Sequence, residues 1–196
     1  MFTAIKTAFT SKGLDMPEYT VLNKTEDSAP SPPYEERQYP ETKWVSTSIQ
    51  GMVLKEATSK GFRRLFNYIQ GANKSGVKIE MTSPVPTKVV PGAGPNCENT
   101  FTVSFFIPPE NAANPPEPTD KDVFIDSWPA QTIYARTFGG FAKDDDWLTN
   151  SQELAKDLKD KPLNQSYWFT AGYDSPFKMF SRRNEVWYVK AENSEQ

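Results

Sequence analysis

The chain has 196 residues, a formal net charge of −3, no histidine and one cysteine, Cys97. Those absences remove Ser-His-Asp and Cys-His catalysis and any zinc site built from four His and Cys ligands, and no basic run supplies the clustered charge that nucleic acid requires. What remains is binding by shape, apolar contact and fixed charge, on a chain long enough to bury a core without disulfides.

At the amino end Phe2, Ile5 and Phe9 are spaced for a short amphipathic turn docked on the domain. Lys6 and Lys12 interrupt that stretch before a secretory apolar region could form. No stretch approaches the roughly 20 apolar residues of a membrane span, and a single cysteine suits a reducing compartment. The expected location is therefore cytoplasmic, with no membrane span. Ser28 to Pro33 is a proline-rich turn or linker.

From Tyr34 to Ile49 the chain is strand-like, and from Met52 to Gln70 it has helical spacing. Leu54, Ala57, Gly61, Leu65 and Tyr68 share one face of that helix, Phe62, Phe66 and Ile69 form a second apolar stripe, and Arg63 and Arg64 fall outside both. The combined arc is wider than packing on a sheet needs. Two readings stand open: Phe62 and Phe66 fill a large core, or the helix lines an apolar pocket with arginine at its rim. Gly71 to Gly76 lacks the Lys-Ser/Thr pair that a phosphate loop carries after its second glycine, so Gly71 is expected to release the helix.

Lys78 to Val85 and Phe101 to Ile107 read as strands, separated by the Val90 to Pro95 loop. A proline-rich polar connection runs from Pro108 to Asp122, either as a boundary between halves or across one face of a single domain. The order then repeats: strands over Val123 to Phe138, a helix over Asp144 to Asp160, strands at Tyr167 to Tyr173 and Glu185 to Lys190. Asp144, Asp145 and Asp146 complement the second helix's N-terminal dipole. Two strand–helix–strand–strand units make a pseudo-duplicated α+β domain whose halves share a core. Before the last strand, Phe177, Met179 and Phe180 alternate with Lys178, Arg182 and Arg183 in a turn-like loop. That pairing suits a flat apolar ligand bearing carboxylates, and equally a basic hairpin.

Six blocks in order, among them Tyr34-Glu-Glu-Arg-Gln-Tyr39, Met81-Thr-Ser-Pro-Val85 and Thr170-Ala-Gly-Tyr-Asp-Ser-Pro176, are similar to the SOUL/haem-binding protein family, and to its SOUL branch in particular. The others are Lys43 to Ser48, Gly61 to Gly71 and Arg183 to Trp187. The likeness implies a single domain over about 17–190, with pseudo-repeats at about 34–107 and 123–190, an extension 1–16 and a tail 191–196. It implies a distorted β-barrel flanked by two long helices and non-catalytic binding of haem or a related tetrapyrrole, as buffer or carrier. The groove implied lies between the first helix and the loop before the last strand, with Phe62, Phe66, Ile69, Tyr173, Phe177 and Phe180 around the ring and Arg64, Lys178, Arg182 or Arg183 at the propionates. Gln38 stands where the branch has a proposed axial histidine, which implies binding without histidine ligation and no metal-ion site. The branch also implies an alternative: an interaction protein in cell-death pathways, engaging a Bcl-2-type partner through Trp147 to Leu158. Against it stands packing of that same face, Trp147, Leu148, Ser151, Leu154, Ala155 and Leu158, on the domain's own sheet.

Overall fold

The computed structural model describes residues 13–26, 31–94, 96–175 and 177–191. The turn expected at Phe2, Ile5 and Phe9, linker residues 27–30 and the tail beyond Ala191 lie outside the described residues. Nine strands form one antiparallel sheet: β1 (Thr20–Lys24), β2 (Tyr34–Tyr39), β3 (Thr42–Gly51), β4 (Val85–Val90), β5 (Asn99–Phe106), β6 (Val123–Trp128), β7 (Gln131–Phe138), β8 (Trp168–Gly172) and β9 (Asn184–Val189). Two long helices, α1 (Leu54–Ile69) and α3 (Asp144–Asp157), and one short one, α2 (Pro109–Ala112), complete the fold.

The sheet order is β1-β2-β7-β9-β8-β4-β5-β3-β6. Setting aside edge strand β1, the remaining strands are symmetric about the β4·β8 pair. The first strand of each half has crossed over: β2 pairs with β7, and β6 pairs with β3. Each half therefore completes the other's sheet, which is why the two share a core.

The sheet is open but strongly curled. Trp128 on β6 meets Phe169 on β8 with ring centroids 5.2 Å apart, although three strands stand between them. At roughly 4.8 Å per strand a flat sheet would hold them roughly 19 Å apart. The concave side is filled by aromatic rings, with Trp44 stacked on Trp128 at 4.3 Å. The distorted barrel expected from the sequence is thus present as a sheet that curls without closing.

On the convex side α1 packs on β3 and β5, and α3 on β7 and β9. Gly61 sets the approach of α1: a Cβ there would lie 2.5 Å from Val103 Cγ2. Gly71, at φ +112°, ends the helix as expected. At the start of α3 the Lys143 amide donates to Asp146 Oδ2 at 2.8 Å, and three aspartates occupy the first turn.

Two expectations need correction, and one strand was not expected. The strand-like stretch from Tyr34 is two strands, parted at Pro40, which has no amide for a ladder. Lys78 to Pro84 is extended loop rather than strand, because its polar groups bond outside any ladder. The Ile79 amide donates to Ile69 O, Ser83 N to Asp15 O, and Thr82 Oγ1 to Phe106 O. Strand β1 had no sequence signal, since its side chains are almost all exposed. The proline-rich connection crosses the end of α1, where the Tyr68 hydroxyl donates to Pro116 O at 2.6 Å.

Candidate functional site

Between the two long helices, over the central β4·β8 pair, lies a groove of about 460 Å³. Its α1 wall is Leu54, Lys55, Thr58, Ser59, Phe62 and Arg63, its floor Val85, Thr170 and Gly172, and its far wall Ala142, Asp144, Trp147, Asp174 and Arg182. The size is that of a small-molecule site. Phe62 serves both open readings at once, packing edge-on against core Phe105 at 5.1 Å while its outer side lines the groove. Phe66 stacks beside it at 5.9 Å and is 41% exposed. The helices meet at the groove's end, where the Lys55 amide donates to Asp144 Oδ2 at 3.3 Å.

Next to the groove stands the loop from Asp174 to Arg182. Phe177 is 90% and Phe180 83% exposed, with Met179 also in solvent. The loop is held by polar contacts instead of burial. Arg182 Nη1 donates to Ser175 O and Lys178 O, both at 2.7 Å, and its guanidinium lies over the Phe141 ring. Lys178 pairs with Asp174 at 2.6 Å.

Several residues expected at the ligand face elsewhere. Arg64 points away, donating to Thr47 Oγ1 and pairing with Asp122 at 3.1 Å. Arg63, one step of about 100° round the helix, lines the groove in its stead. Lys55, Ser59, Phe62 and Arg63 share one stripe by the 3.6-residue period, a signal that could have placed Arg63 on this wall. Ile69 is buried in the core with Leu65 and Ile79. Tyr173 and Arg183 turn inward to Glu185.

Glu185 is wholly buried on the concave side. Arg37 donates to both its oxygens at 2.8 and 3.0 Å, Arg183 twice to Oε1 at 3.0 and 2.6 Å, and Thr137 to Oε1 at 3.1 Å. The Tyr173 hydroxyl and Trp187 Nε1 reach Oε2 at 2.8 and 2.7 Å. Burial alone would raise this carboxyl's pKa, but Arg37, then Arg183 and the Trp187 N–H, outweigh it and hold it at about 2. Arg183 is thus committed to a buried carboxylate, its guanidinium also 3.9 Å from the Tyr173 ring centroid.

Gln38 is far from the groove. It is exposed and pairs with Thr132 on β7, whereas the groove lies by Gly172, which pairs with Asn184 and so lines up with Phe138. Six residues of β7 separate the two levels, about 20 Å at the rise of a strand. Gln38 lines a different, more polar recess with Gln131, Tyr167 and Lys190. The loss of histidine there removes nothing from the groove. Cys97 sits in the loop at the opposite end of β4, exposed, and Met81 packs on the core. Among the described residues no cluster of His, Cys, Asp or Glu could hold a metal ion, and no helix is long and apolar enough to cross a membrane.

The apolar face of α3 is occupied within the chain. Leu154 and Leu158 are completely buried against Tyr134 and Val186. Leu148, on the same helix, is 47% exposed.

The chain matches the family described as SOUL heme-binding protein over residues 14–189. It belongs to that family. This is the membership the six sequence blocks implied. Among its relatives, "Heme-binding protein 2" of Homo sapiens is 42% identical over 84% of this chain and 82% of its own length. "Heme-binding protein 1" of Xenopus laevis is 34% identical over 97% of this chain and 99% of its own. Among solved structures, the EcmrR C-terminal domain superposes with a TM-score of 0.56 at 10% identity, covering 81% of this chain and 98% of that one, a likeness of fold alone.

Proposed function

We propose that this chain binds haem or a related tetrapyrrole in the groove between α1 and the Asp174 to Arg182 loop, without histidine ligation and without catalysis, as a cytoplasmic buffer or carrier. The observation that carries the reading is Phe62 on the groove wall, with Phe66 stacked beside it, next to a loop that holds Phe177 and Phe180 in solvent. Rings this exposed gain by covering a flat apolar molecule. The relatives' names and family membership supply the ligand class.

Arg63 and Lys55 line the groove and make no ion pair among the described residues, so they meet the propionates. Lys178 joins them by leaving Asp174, whose carboxylate, 6% exposed, keeps its bond from the Arg183 amide. Arg182 shapes the far wall through the loop carbonyls. With no histidine in the chain and no methionine or cysteine among the residues that line the groove itself, the porphyrin is held by its faces and carboxylates.

The test is a titration of tag-free protein with haem and with protoporphyrin IX, followed by absorbance and by quenching of Trp147 in the groove. Saturable binding of both is expected, weakened by about tenfold or more, or 1.4 kcal/mol, in Phe62→Asp and in Arg63→Glu. Wild-type protein that fails to saturate with either ligand refutes the proposal. Undiminished affinity in both variants moves the ligand out of this groove.

A further inference from the structure

The Glu185 cluster lies on the opposite face of the sheet from the groove and touches no proposed ligand, yet its donors fall into two groups. Arg37, Thr137 and Trp187 reach it from strands β2, β7 and β9. Tyr173 and Arg183 reach it from the two ends of the exposed loop. The same two residues close the loop's neck through the backbone, where Tyr173 N donates to Arg183 O at 3.3 Å. Just inside the neck, Arg183 N donates to Asp174 Oδ2 at 2.5 Å.

We infer that Glu185 is a positioning residue for tetrapyrrole binding: one buried carboxylate clamps both ends of the loop and fixes where Phe177 and Phe180 stand relative to α1. The inference rests on the proposed function for the loop's role, but the clamp itself is a property of the unliganded chain.

The physical need follows from the loop's composition. Its large side chains are in solvent, so apolar burial does not hold it in place. Its internal bonds, Arg182 to the Ser175 and Lys178 carbonyls, fix its shape but not its attitude to the groove. Attitude is set at the neck, where charge-assisted bonds are short and screened from water. The cluster is also balanced: Glu35 accepts from Arg37 Nε at 2.8 Å, so two carboxylates face two guanidiniums. A balanced, fully bonded cluster holds one geometry, where a single ion pair would allow several.

The decisive experiment compares variants on the two sides of the same carboxylate. Tyr173→Phe removes a loop-side donor and Thr137→Val a sheet-side donor, each neutral in charge and close in size. Hydrogen–deuterium exchange of the amides from Tyr173 to Arg183, measured without ligand, should quicken about tenfold or more in Tyr173→Phe and stay near wild type in Thr137→Val. Protoporphyrin IX affinity should fall several-fold in the first variant alone. Equal exchange in both variants, whether raised or unchanged, overturns the inference, since a merely structural cluster loosens the chain without regard to side. Should either variant fail to fold, Arg183→Lys against Arg37→Lys makes the same comparison. Wild-type protein that binds no porphyrin while its loop still responds to Tyr173→Phe refutes the ligand and leaves the clamp standing.

Discussion

The two walls of the groove are built on opposite principles. The α1 wall is an extension of the core: Gly61 seats the helix against Val103, Leu65 and Tyr68 are buried beneath it, and Phe62 is braced by Phe105. The loop wall has its apolar side chains in water and is tied at its neck, by its own carbonyls and by Arg182 over the Phe141 ring. One wall is rigid because removing it would open the core. The other can adjust to a ligand because few apolar contacts would be lost. The groove thus pairs a fixed face with an adjustable one.

That contrast can be broken by mutation. The largest effect should come from beneath α1, where Leu65→Ala leaves a cavity and costs about 2–5 kcal/mol in denaturant unfolding. A cost under about 1 kcal/mol would mean the helix is not anchored as described. Next comes acid. The Glu185 carboxyl is held at about 2, below its ordinary 4.5, so its cluster stabilises fully above the ordinary value and loses that contribution as pH falls towards 2. The loss is on the order of 3 kcal/mol. Unfolding midpoints at pH 6 and pH 3 should differ more in wild type than in Glu185→Gln, and an equal difference would show that another group drives acid sensitivity.

Gly61→Ala follows, at about 1–3 kcal/mol, because the new methyl overlaps Val103 and the helix must lift from the sheet. Its porphyrin affinity should drop as Phe62 moves with the helix. Smallest in stability is Phe180→Ser, expected within about 0.5 kcal/mol of wild type since the ring is 83% exposed. The same change should weaken porphyrin binding measurably. A stability loss in Phe180→Ser like that of Gly61→Ala would erase the distinction between the walls.

Much of the α1 wall was legible before any fold was known. Helical periodicity placed Leu54, Ala57, Gly61, Leu65 and Tyr68 inward and set Phe62 and Phe66 on an adjoining stripe, as the structure has them. The rim was harder to read. Arg63 and Arg64 are adjacent, and one turn of about 100° separates the groove from the Asp122 side. Arg183, Lys178 and Arg182 looked equivalent in a basic loop. Their partners divide them: the Glu185 carboxylate on the concave side, the Asp174 carboxylate at the loop's neck, and loop carbonyls. Such partners are remote in sequence, as Arg37 is from Glu185, and no local pattern reveals them.

The sequence by itself determined the family, the α+β class, the doubled order of elements and the two amphipathic helices. These follow from residue period, turn chemistry and blocks that are local along the chain. Tertiary structure decided the exchange of β2 and β6 between halves, the curl of the sheet, and the separation of Gln38 from the groove. It also decided which cations line the groove. Those outcomes depend on how distant segments pair and close over a shared core, where burial rewards contacts that sequence spacing does not encode.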